Sequence, residues 1–232
     1  MDNSGRYYGT EKYHVAVDCI IFGFDDDKLQ LLLVKRLFDP CKGCWSLMGG
    51  FLQKDEDLDV AASRILESLT GLESVYLEQL YTYGDPGRDP GGRVVSVTYY
   101  ALIRTDRLEE DFGGRYTARW FSFDELPPLV FDHPAMVEKA IKRLRRRTLI
   151  QPVGFELLPE KFTLTQLQKL YEAIHDKKLD KRNFRKRILS MDVLTKLDEK
   201  DKLNSKRGAW LYKFDRDKYE KLLTSGDIFQ MK

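Results

Sequence analysis

Apolar residues along the first 70 positions follow a strand pattern and then a helical one. Two short runs rich in Val, Ile and Leu, at residues 14–23 and 29–35, flank the acidic turn of residues 25–28, which predicts a β-hairpin. From Asp57 to Leu69 the apolar positions recur at helical spacing, and Gly71 then ends the predicted helix. We therefore expect strands and helices to be mixed in this part of the chain.

The following 80 residues alternate in the same way. Strand-like segments at residues 75–83 and 93–104 flank a turn-rich loop at residues 84–92, and a further strand is predicted at residues 118–123. Apolar residues then recur at helical spacing over residues 133–147. This order, rich in strands with interleaved helices, predicts an α+β sandwich rather than a parallel βαβ sheet.

The pattern is interrupted between residues 148 and 160. Pro152, Gly154 and Pro159 fall within this stretch, and Pro and Gly are the strongest breakers of regular structure. The sequence therefore predicts two domains, at residues 1–150 and 151–232.

The second predicted domain begins with two helices. Thr163 and Gln166 fit a capping box at the start of the first helix, and Asp180 is a good N-cap for a second helix that ends near residue 191. In the second helix Phe184 and Ile188 lie four residues apart, which places them together on an inward face. Two predicted strands and a short helix follow, at residues 193–198, 209–214 and 215–223. Helix, turn, basic helix and hairpin together outline a winged helix-turn-helix.

Length and charge agree with two domains of different character. A chain of 232 residues has room for two modest domains. Residues 1–150 carry 20 Lys and Arg against 24 Asp and Glu, whereas residues 151–232 carry 19 against 13, which indicates an appended module that binds a polyanion. No run approaches the roughly 20 apolar residues of a membrane helix, and the N-terminus lacks the apolar core of a secretory signal. We expect a cytoplasmic protein that does not enter the membrane.

The cysteines indicate neither a disulfide framework nor a zinc site. Cys19, Cys41 and Cys44 are odd in number, as is usual in a reducing cytosol. Cys41 and Cys44 have the spacing of a zinc knuckle or a redox pair, but a structural zinc site needs four ligands, and no second Cys pair or His pair follows. We therefore expect a turn at this position, with no metal and no other cofactor.

Residues 50–72 resemble the Nudix box. The family pattern is Gly, five residues, Glu, seven residues, then Arg-Glu-U-x-Glu-Glu-x-Gly-U, where U is a bulky aliphatic residue. Six positions match it, namely Gly50, Glu56, Arg64, Leu66, Gly71 and Leu72. The resemblance implies the α/β/α sandwich of that family over residues 10–147.

The metal-binding acids of the box are missing. Nudix hydrolases hold Mg²⁺ with box-helix glutamates, because a hard cation needs several anionic oxygens. The three positions that should hold those glutamates are occupied by Ile65, Ser68 and Leu69. Glu67 is adjacent, but one residue along a helix turns a side chain by roughly 100°, away from the metal face. Glu56 alone cannot assemble the site, and we expect Arg64 to brace the loop, so the sequence predicts binding without hydrolysis.

A degenerate Nudix domain followed by a winged helix resembles the Nudix-related transcriptional regulators of bacteria. The supporting stretches lie at residues 87–97, 131–134, 162–174 and 179–187. Characterised branches of that family repress genes of NAD metabolism in response to ADP-ribose, or control pentose utilisation in response to L-arabinose. The missing box acids, together with residues 19–24 and 47–51, are more similar to the sugar-sensing arabinose regulators of gut bacteria.

The resemblance therefore implies a regulator that binds a small sugar such as L-arabinose. The alternatives are an ADP-ribose sensor, or a residual hydrolase that acts on a nucleoside diphosphate derivative. A third possibility is a protein-interaction module whose basic helix docks on an acidic partner. For a regulator, double-stranded operator DNA and a two-fold homodimer are the expected partners, with recognition helices about 34 Å apart.

The second helix of the winged helix supplies the candidate DNA contacts. Six of the ten residues from Lys178 to Arg187 are basic, which exceeds an ordinary solvated face. The residues expected to read bases are Arg182, Asn183 and Arg185, because Arg pairs with guanine and Asn with adenine in the major groove. Lys181 and Lys186 belong to the same set of early helix residues that reach the base edges. The residues expected to contact phosphates are Lys178 and, from the tip of the wing, Lys206 and Arg207.

The candidate ligand site combines polar groups with aromatic platforms. The polar candidates are Asp18, Arg36, Gln53, Glu56 and Arg93, and the platforms are Trp45, Phe51 and Tyr99. Asp18 lies in an apolar strand, where an unpaired carboxylate is costly, so we expect it to have a partner. Two alternatives stay open, namely that Asp18 forms a structural salt bridge with Arg93, and that Trp45 and Phe51 belong to the core.

Overall fold

The first part of the chain folds around a mixed sheet. The computed structural model describes residues 10–25, 27–72, 75–107, 117–202 and 208–224. Within these residues the sheet contains β1 (His14–Asp25), β2 (Lys28–Lys35), β3 (Trp45–Ser46), β4 (Met48–Phe51), β5 (Leu77–Tyr83), β6 (Val94–Leu102) and β7 (Ala118–Ser122). The central strand β1 runs antiparallel to β2 and β4 and parallel to β6. β5 pairs with β6, while β3 and β7 pair with β2, so the predicted hairpin and strands are confirmed.

One helix covers each face of this sheet. Alternate residues of a strand point to opposite faces, so Val17, Cys19 and Ile21 of β1 pack on the side of α1 (Leu58–Thr70). Ile20 and Phe22 pack on the side of α2 (His133–Ile150). The α/β/α sandwich implied by the Nudix resemblance is thereby confirmed.

Local signals fix the ends of α1. The Asp57 carboxylate accepts a hydrogen bond from the Val60 N–H at 2.8 Å, which satisfies one of the free donors of the first turn. Gly71 ends the helix at φ 69°, and its N–H donates to Glu67 O. A left-handed conformation of this kind favours glycine, so the predicted C-cap is confirmed.

α2 continues three residues beyond its predicted end, because later parts of the chain hold its last turn. The Arg145 Nε donates to Ile174 O at 2.7 Å, and the Thr148 hydroxyl lies 3.0 Å from His175 Nε2. Thr148 is fully buried by this contact. The pattern from residue 133 to 147 contains no information about that tertiary support.

The second part is a winged helix, as predicted. It consists of β8 (Phe162–Thr163), α3 (Leu164–His175), α4 (Lys181–Ser190), β9 (Leu194–Asp201), β10 (Ala209–Phe214) and α5 (Arg216–Thr224), with the strands in the order β8-β10-β9. The capping box of Thr163 and Gln166 and the N-cap Asp180 both form. Phe184 and Ile188 are buried, as expected. β8 was not predicted, because a two-residue strand is too short to show an alternating pattern.

The two parts share one apolar core. Leu31 and Leu33 of β2 and Met136 of α2 belong to the same buried cluster as Leu167 and Leu170 of α3. Polar contacts also join the two parts, since the Lys169 ammonium pairs with Asp27 at 2.6 Å. Among the helices described, none combines the length and the apolar composition needed to cross a bilayer.

Candidate ligand site and nucleic-acid interface

Glu56 and Arg64 brace the loop that precedes α1. The Arg64 guanidinium donates to both Glu56 carboxylate oxygens, at 2.6 and 2.8 Å, and to Phe51 O at 3.2 Å. The Gln53 N–H donates to the same carboxylate at 2.7 Å. The hydrogen bond from Arg64 lowers the pKa of Glu56, so this carboxylate stays ionised. The role expected of Arg64 is confirmed, and Glu56 and Gln53 belong to the same brace.

The positions that lack the box acids differ in their surroundings. Ile65 is buried in the core beneath α1, and its Cδ1 and Cγ1 would lie 3.3 Å from a Cβ atom at Gly50. The Ser68 hydroxyl donates to Ile65 O at 2.9 Å. The side chain of Leu69 lies outside the described residues. Among the described residues, no group of three or more His, Cys, Asp and Glu side chains is placed to hold a metal ion.

A buried polar network lies on the other face of the sheet, beside α2. The Ser96 hydroxyl donates to Asp18 Oδ2 at 2.5 Å, and the Arg88 guanidinium lies 3.6 Å from the same oxygen. Arg88 also donates two hydrogen bonds to Asp132, at 2.8 and 2.9 Å. Asp18 and Arg88 are each 7% exposed and Ser96 is fully buried. We call Asp18, Arg88, Ser96, Asp132 and His133 the Asp18 network.

His133 completes the Asp18 network as a neutral ring. Burial lowers the pKa of His133, against the raising effect of Asp18 and Asp132. Its Nδ1 accepts a hydrogen bond from the Leu47 N–H at 3.1 Å, so the ring proton lies on Nε2, which is 3.9 Å from Asp18 Oδ1. Gly49 is needed for this packing, because a Cβ atom there would lie 2.2 Å from the Asp18 carboxylate.

The partner of Asp18 is therefore Arg88, and the alternative of a salt bridge to Arg93 is wrong. Arg93 donates to Gly84 O at 2.9 Å and lies over the Tyr13 ring at 5.2 Å. Arg88 lies within the turn-rich loop of residues 84–92, and Arg93 directly follows that loop. The fold of that loop buries Arg88 beside Asp18, and the spacing of residues in the sequence does not show this.

The predicted ligand residues divide between the two faces of the sheet. Asp18, Arg36 and Trp45 lie towards α2, where the Arg36 guanidinium stacks over Phe131 at 4.9 Å. Tyr99 is buried on the α1 face, and its hydroxyl donates to Asp59 at 2.5 Å. Asp18 and Tyr99 consequently do not line one pocket.

The core alternative holds for only one of the two aromatic platforms. Trp45 is partly buried and packs edge-on against Phe121, with ring centroids 4.8 Å apart. Phe51 is 51% exposed and contacts the ring of His14 at 5.3 Å, so assigning it to the core is wrong.

Sequence reasoning did not identify four members of the Asp18 network as site residues. Arg88, Asp132 and His133 lie in two stretches that carried the family resemblance, residues 87–97 and 131–134, and this was the available signal. No sequence signal pointed to Ser96, because the role of a serine in a strand depends on its neighbour across the sheet.

Helix α4 presents the predicted DNA-reading residues. Asp180 caps it by accepting from the Asn183 N–H at 2.8 Å. Lys181, Arg182, Asn183 and Lys186 are exposed. The Lys178 ammonium is also exposed and pairs with Glu172 at 3.1 Å. Lys206 and Arg207 lie outside the described residues.

Arg185 differs from its neighbours on α4. It is partly buried, and its guanidinium donates to the Thr165 hydroxyl at 3.1 Å. Its Nε is buried without a hydrogen-bond partner. α3 therefore holds this guanidinium in place while leaving one donor unsatisfied.

The wing carries a further basic surface that the sequence reasoning missed. The ammonium groups of Lys196 and Lys200 on β9 lie 3.9 and 4.4 Å from the centre of the Trp210 ring on β10. Trp210 is 37% exposed. Only the pairing of β9 with β10 brings these three side chains together.

A degenerate Nudix sandwich joined to a basic winged helix defines a class of two-domain regulators. Comparison with family models supports each part: residues 12–142 match the NUDIX domain, and residues 154–214 match the NrtR DNA-binding winged helix domain. The chain is 36% identical over 210 residues to the ADPR responsive transcriptional repressor NtrR of Acinetobacter baylyi, covering 89% of this chain and 84% of that protein. The chain therefore belongs to the NrtR family of Nudix-domain transcriptional regulators.

Solved structures agree with this assignment. Shewanella oneidensis NrtR complexed with a 27mer DNA matches with a TM-score of 0.81 and 32% identity, over 89% of this chain and 95% of that one. The NUDIX domain of the same protein, complexed with ADP ribose, matches with a TM-score of 0.50 and 31% identity, over 58% of this chain and 90% of that one. These comparisons do not support the closer similarity to arabinose regulators that the sequence suggested. The ligand named for these relatives is ADP-ribose.

Proposed function

We propose that this chain is an ADP-ribose-responsive transcriptional repressor that binds operator DNA as a homodimer in the bacterial cytoplasm. The observation that carries the proposal is the similarity to the Acinetobacter baylyi repressor, which spans both domains. ADP-ribose replaces the sugar expected from the sequence, because the relatives are named for that ligand.

The chemistry of the Nudix domain supports a charged, aromatic ligand. A pentose is neutral, whereas ADP-ribose carries a diphosphate that guanidinium groups bind well and an adenine that stacks on aromatic rings. Arg36 and Arg93 each lie over an aromatic ring, at 4.9 Å from Phe131, which adjoins Asp132 of the Asp18 network, and at 5.2 Å from Tyr13. We propose that these pairs contribute to the effector site.

The surface of α4 supports sequence-specific DNA binding. In a helix-turn-helix the second helix enters the major groove and its early residues reach the base edges. Arg182 and Asn183 are exposed in the first turn of α4, while Arg185 is held by Thr165 with its Nε unsatisfied. We propose that these three residues read bases, and that Lys178, Lys181 and Lys186 contact phosphates.

The proposed DNA contacts are tested by in vitro selection from random duplexes with the full-length protein, followed by fluorescence anisotropy. We expect a palindromic site. Arg182→Ala should weaken binding by about 1–3 kcal/mol and relax the preference at one base position, whereas the matched control Lys178→Ala should weaken binding to all sequences and reduce the salt slope by about one. Binding without sequence preference or salt dependence would instead support a module for an acidic protein.

The effector is tested by thermal unfolding with ADP-ribose and, separately, with L-arabinose. A ligand at 100 times its Kd adds about 2.7 kcal/mol of stability, which such a measurement resolves easily. We expect stabilisation by ADP-ribose and release of the selected DNA. Stabilisation by the pentose alone would restore the sugar-sensing hypothesis.

We further propose that the domain binds ADP-ribose without hydrolysing it. Ile65 is part of the core and Ser68 bonds to the helix backbone, so neither replaces a metal-binding glutamate. Incubation with Mg²⁺ or Mn²⁺ should yield no AMP or ribose 5-phosphate. Turnover that disappears in Glu56→Gln would show a working hydrolase.

A further inference from the structure

The loop between β2 and β3 carries two exposed thiols. We call residues 36–44 the dithiol loop; Cys41 and Cys44 are both free and exposed. The Cys44 N–H donates to Cys41 O at 3.1 Å, and Gly43 between them has φ 82°, so the pair spans a tight turn. The ends of such a turn have Cα atoms within about 7 Å, and a disulfide accepts Cα separations of roughly 4.4–6.8 Å. The backbone of this turn therefore holds the two Cα atoms at about the separation that a disulfide requires.

The base of the dithiol loop is fixed by one residue. The Arg36 carbonyl accepts from the Gly43 N–H at 2.8 Å, and its own N–H donates to Cys44 O at 3.0 Å. The Arg36 Nε also donates to Pro40 O at 2.8 Å. Because these bonds order the loop before any reaction, closing a ring between the two sulfurs costs little further conformational entropy.

We propose that Cys41 and Cys44 form a reversible disulfide, which makes the dithiol loop a redox modification site. With a peroxide as oxidant, one thiolate attacks the O–O bond, giving a sulfenic acid and releasing hydroxide or alkoxide. The second thiol then displaces water from that sulfur and forms the S–S bond. The two sulfurs together lose two electrons, which the peroxide accepts, and a dithiol reductant reverses the change by exchange.

The loop also contacts two of the segments that carry the Asp18 network. The Arg36 guanidinium lies over Phe131, the neighbour of Asp132, at 4.9 Å. The Pro40 ring would lie 3.3 Å from a Cβ atom at Gly91, in the loop that carries Arg88. Closing the disulfide draws the side chains of Cys41 and Cys44 together within the turn that lies between these two contacts, so we expect oxidation to weaken effector binding. This consequence rests on the proposed ADP-ribose site, whereas the disulfide itself does not.

The modification is tested on the full-length protein with hydrogen peroxide, alkylation of free thiols, and peptide mapping by mass spectrometry. We expect a loss of two hydrogen atoms, one Cys41–Cys44 bond and full reversal by dithiothreitol. Cys19 is an internal control, because burial raises the pKa of its thiol and shields it from reagent. Cys41→Ser and Cys44→Ser should each abolish the bond. Sulfinic acids, cross-linked dimers or unreacted thiols as the main products would overturn the proposal.

The functional consequence is tested by measuring the Kd of ADP-ribose for reduced, oxidised and Cys41→Ser/Cys44→Ser protein. We expect oxidation to raise the Kd by about threefold or more in the wild type and to leave the double variant unchanged. A mapped disulfide with an unchanged Kd would overturn the coupling. Failure of the reduced protein to bind ADP-ribose would refute the proposed effector instead, and the mapping result would still decide the disulfide.

Discussion

The sequence showed that Asp18 must have a polar partner, but it did not show which residue that partner is. A carboxylate in an apolar strand loses the hydration that stabilises its charge, which costs several kcal/mol unless partners replace the water. Ser96 and Arg88 replace it here, at 2.5 and 3.6 Å, and Asp132 balances the second side of the guanidinium. The apolar strand around Asp18 was enough to predict that a partner exists. The identity of the partner depends on the loop that carries Arg88, 70 residues further along the chain.

Removing Arg88 should destabilise the protein strongly. Arg88→Met leaves the buried carboxylate of Asp18 without a cation, and breaking a buried pair in this way costs about 3–5 kcal/mol. Urea denaturation measures the loss. The matched control is Arg93→Met, at the residue that directly follows the loop. Among the described residues, the Arg93 guanidinium donates to backbone carbonyls and stacks on Tyr13. Equal losses in both variants would contradict the assignment.

The pKa of His133 should lie below the ordinary value of 6.5. Its pKa is lowered by burial from the ordinary value of 6.5, so the unfolded state takes up a proton first as the pH falls. The stability that neutral His133 contributes is therefore complete above about pH 6.5, and it is lost as the pH falls from there towards the folded pKa. Histidine NMR titration, with the resonance assigned by His133→Gln, measures the pKa directly. A value of 6.5 or above would contradict this environment.

At the scale of elements, the capped ends of helices were predictable, whereas the register of strands and the pairing of strands distant in sequence were not. Caps depend on a few adjacent residues, so Gly71, Thr163 and Asp180 indicated where three helices begin or end. The pairing of β8 with β10 joins distant segments, and the basic surface around Trp210 depends on the register of β9 against β10, so both appear only in the folded chain.

The cap of α4 gives a matched pair of variants. Asp180→Ala removes the acceptor of the Asn183 N–H and should cost about 1 kcal/mol, whereas Asp180→Asn keeps an acceptor oxygen and should cost only a few tenths. Chemical denaturation measures both. Equal losses would show that the charge, rather than the cap, stabilises this helix.

For the molecule as a whole, the shared core couples the two domains. Composition and charge predicted an appended basic module, and both parts were recognised from local patterns. The contact between the two domains was not predicted, because the apolar face of α3 can equally pack in the interior of its own domain. In the structure that face belongs to the same cluster as β2 and α2.

The two domains should therefore unfold in one transition. Leu167→Ala removes a fully buried side chain of α3 and should cost about 2–5 kcal/mol. Differential scanning calorimetry should give one peak whose calorimetric and van't Hoff enthalpies agree, shifted to lower temperature in the variant. As an optical check, Trp210→Phe leaves Trp45 and Trp120 to report on the Nudix domain alone. Two separate peaks, with only the lower one moved by Leu167→Ala, would contradict the coupling.

The sequence by itself determined the two domain types, the capped ends of α1, α3 and α4, the degenerate box and the basic recognition helix. All of these depend on residue type and on spacing within one element, where steric preference and hydrophobic periodicity act locally. Only the tertiary structure decided that Arg88 rather than Arg93 meets Asp18, that Asp18 and Tyr99 face opposite sides of the sheet, and that α3 packs into the Nudix core. These are contacts between distant segments, and the path of the chain that brings them together is a property of the whole fold.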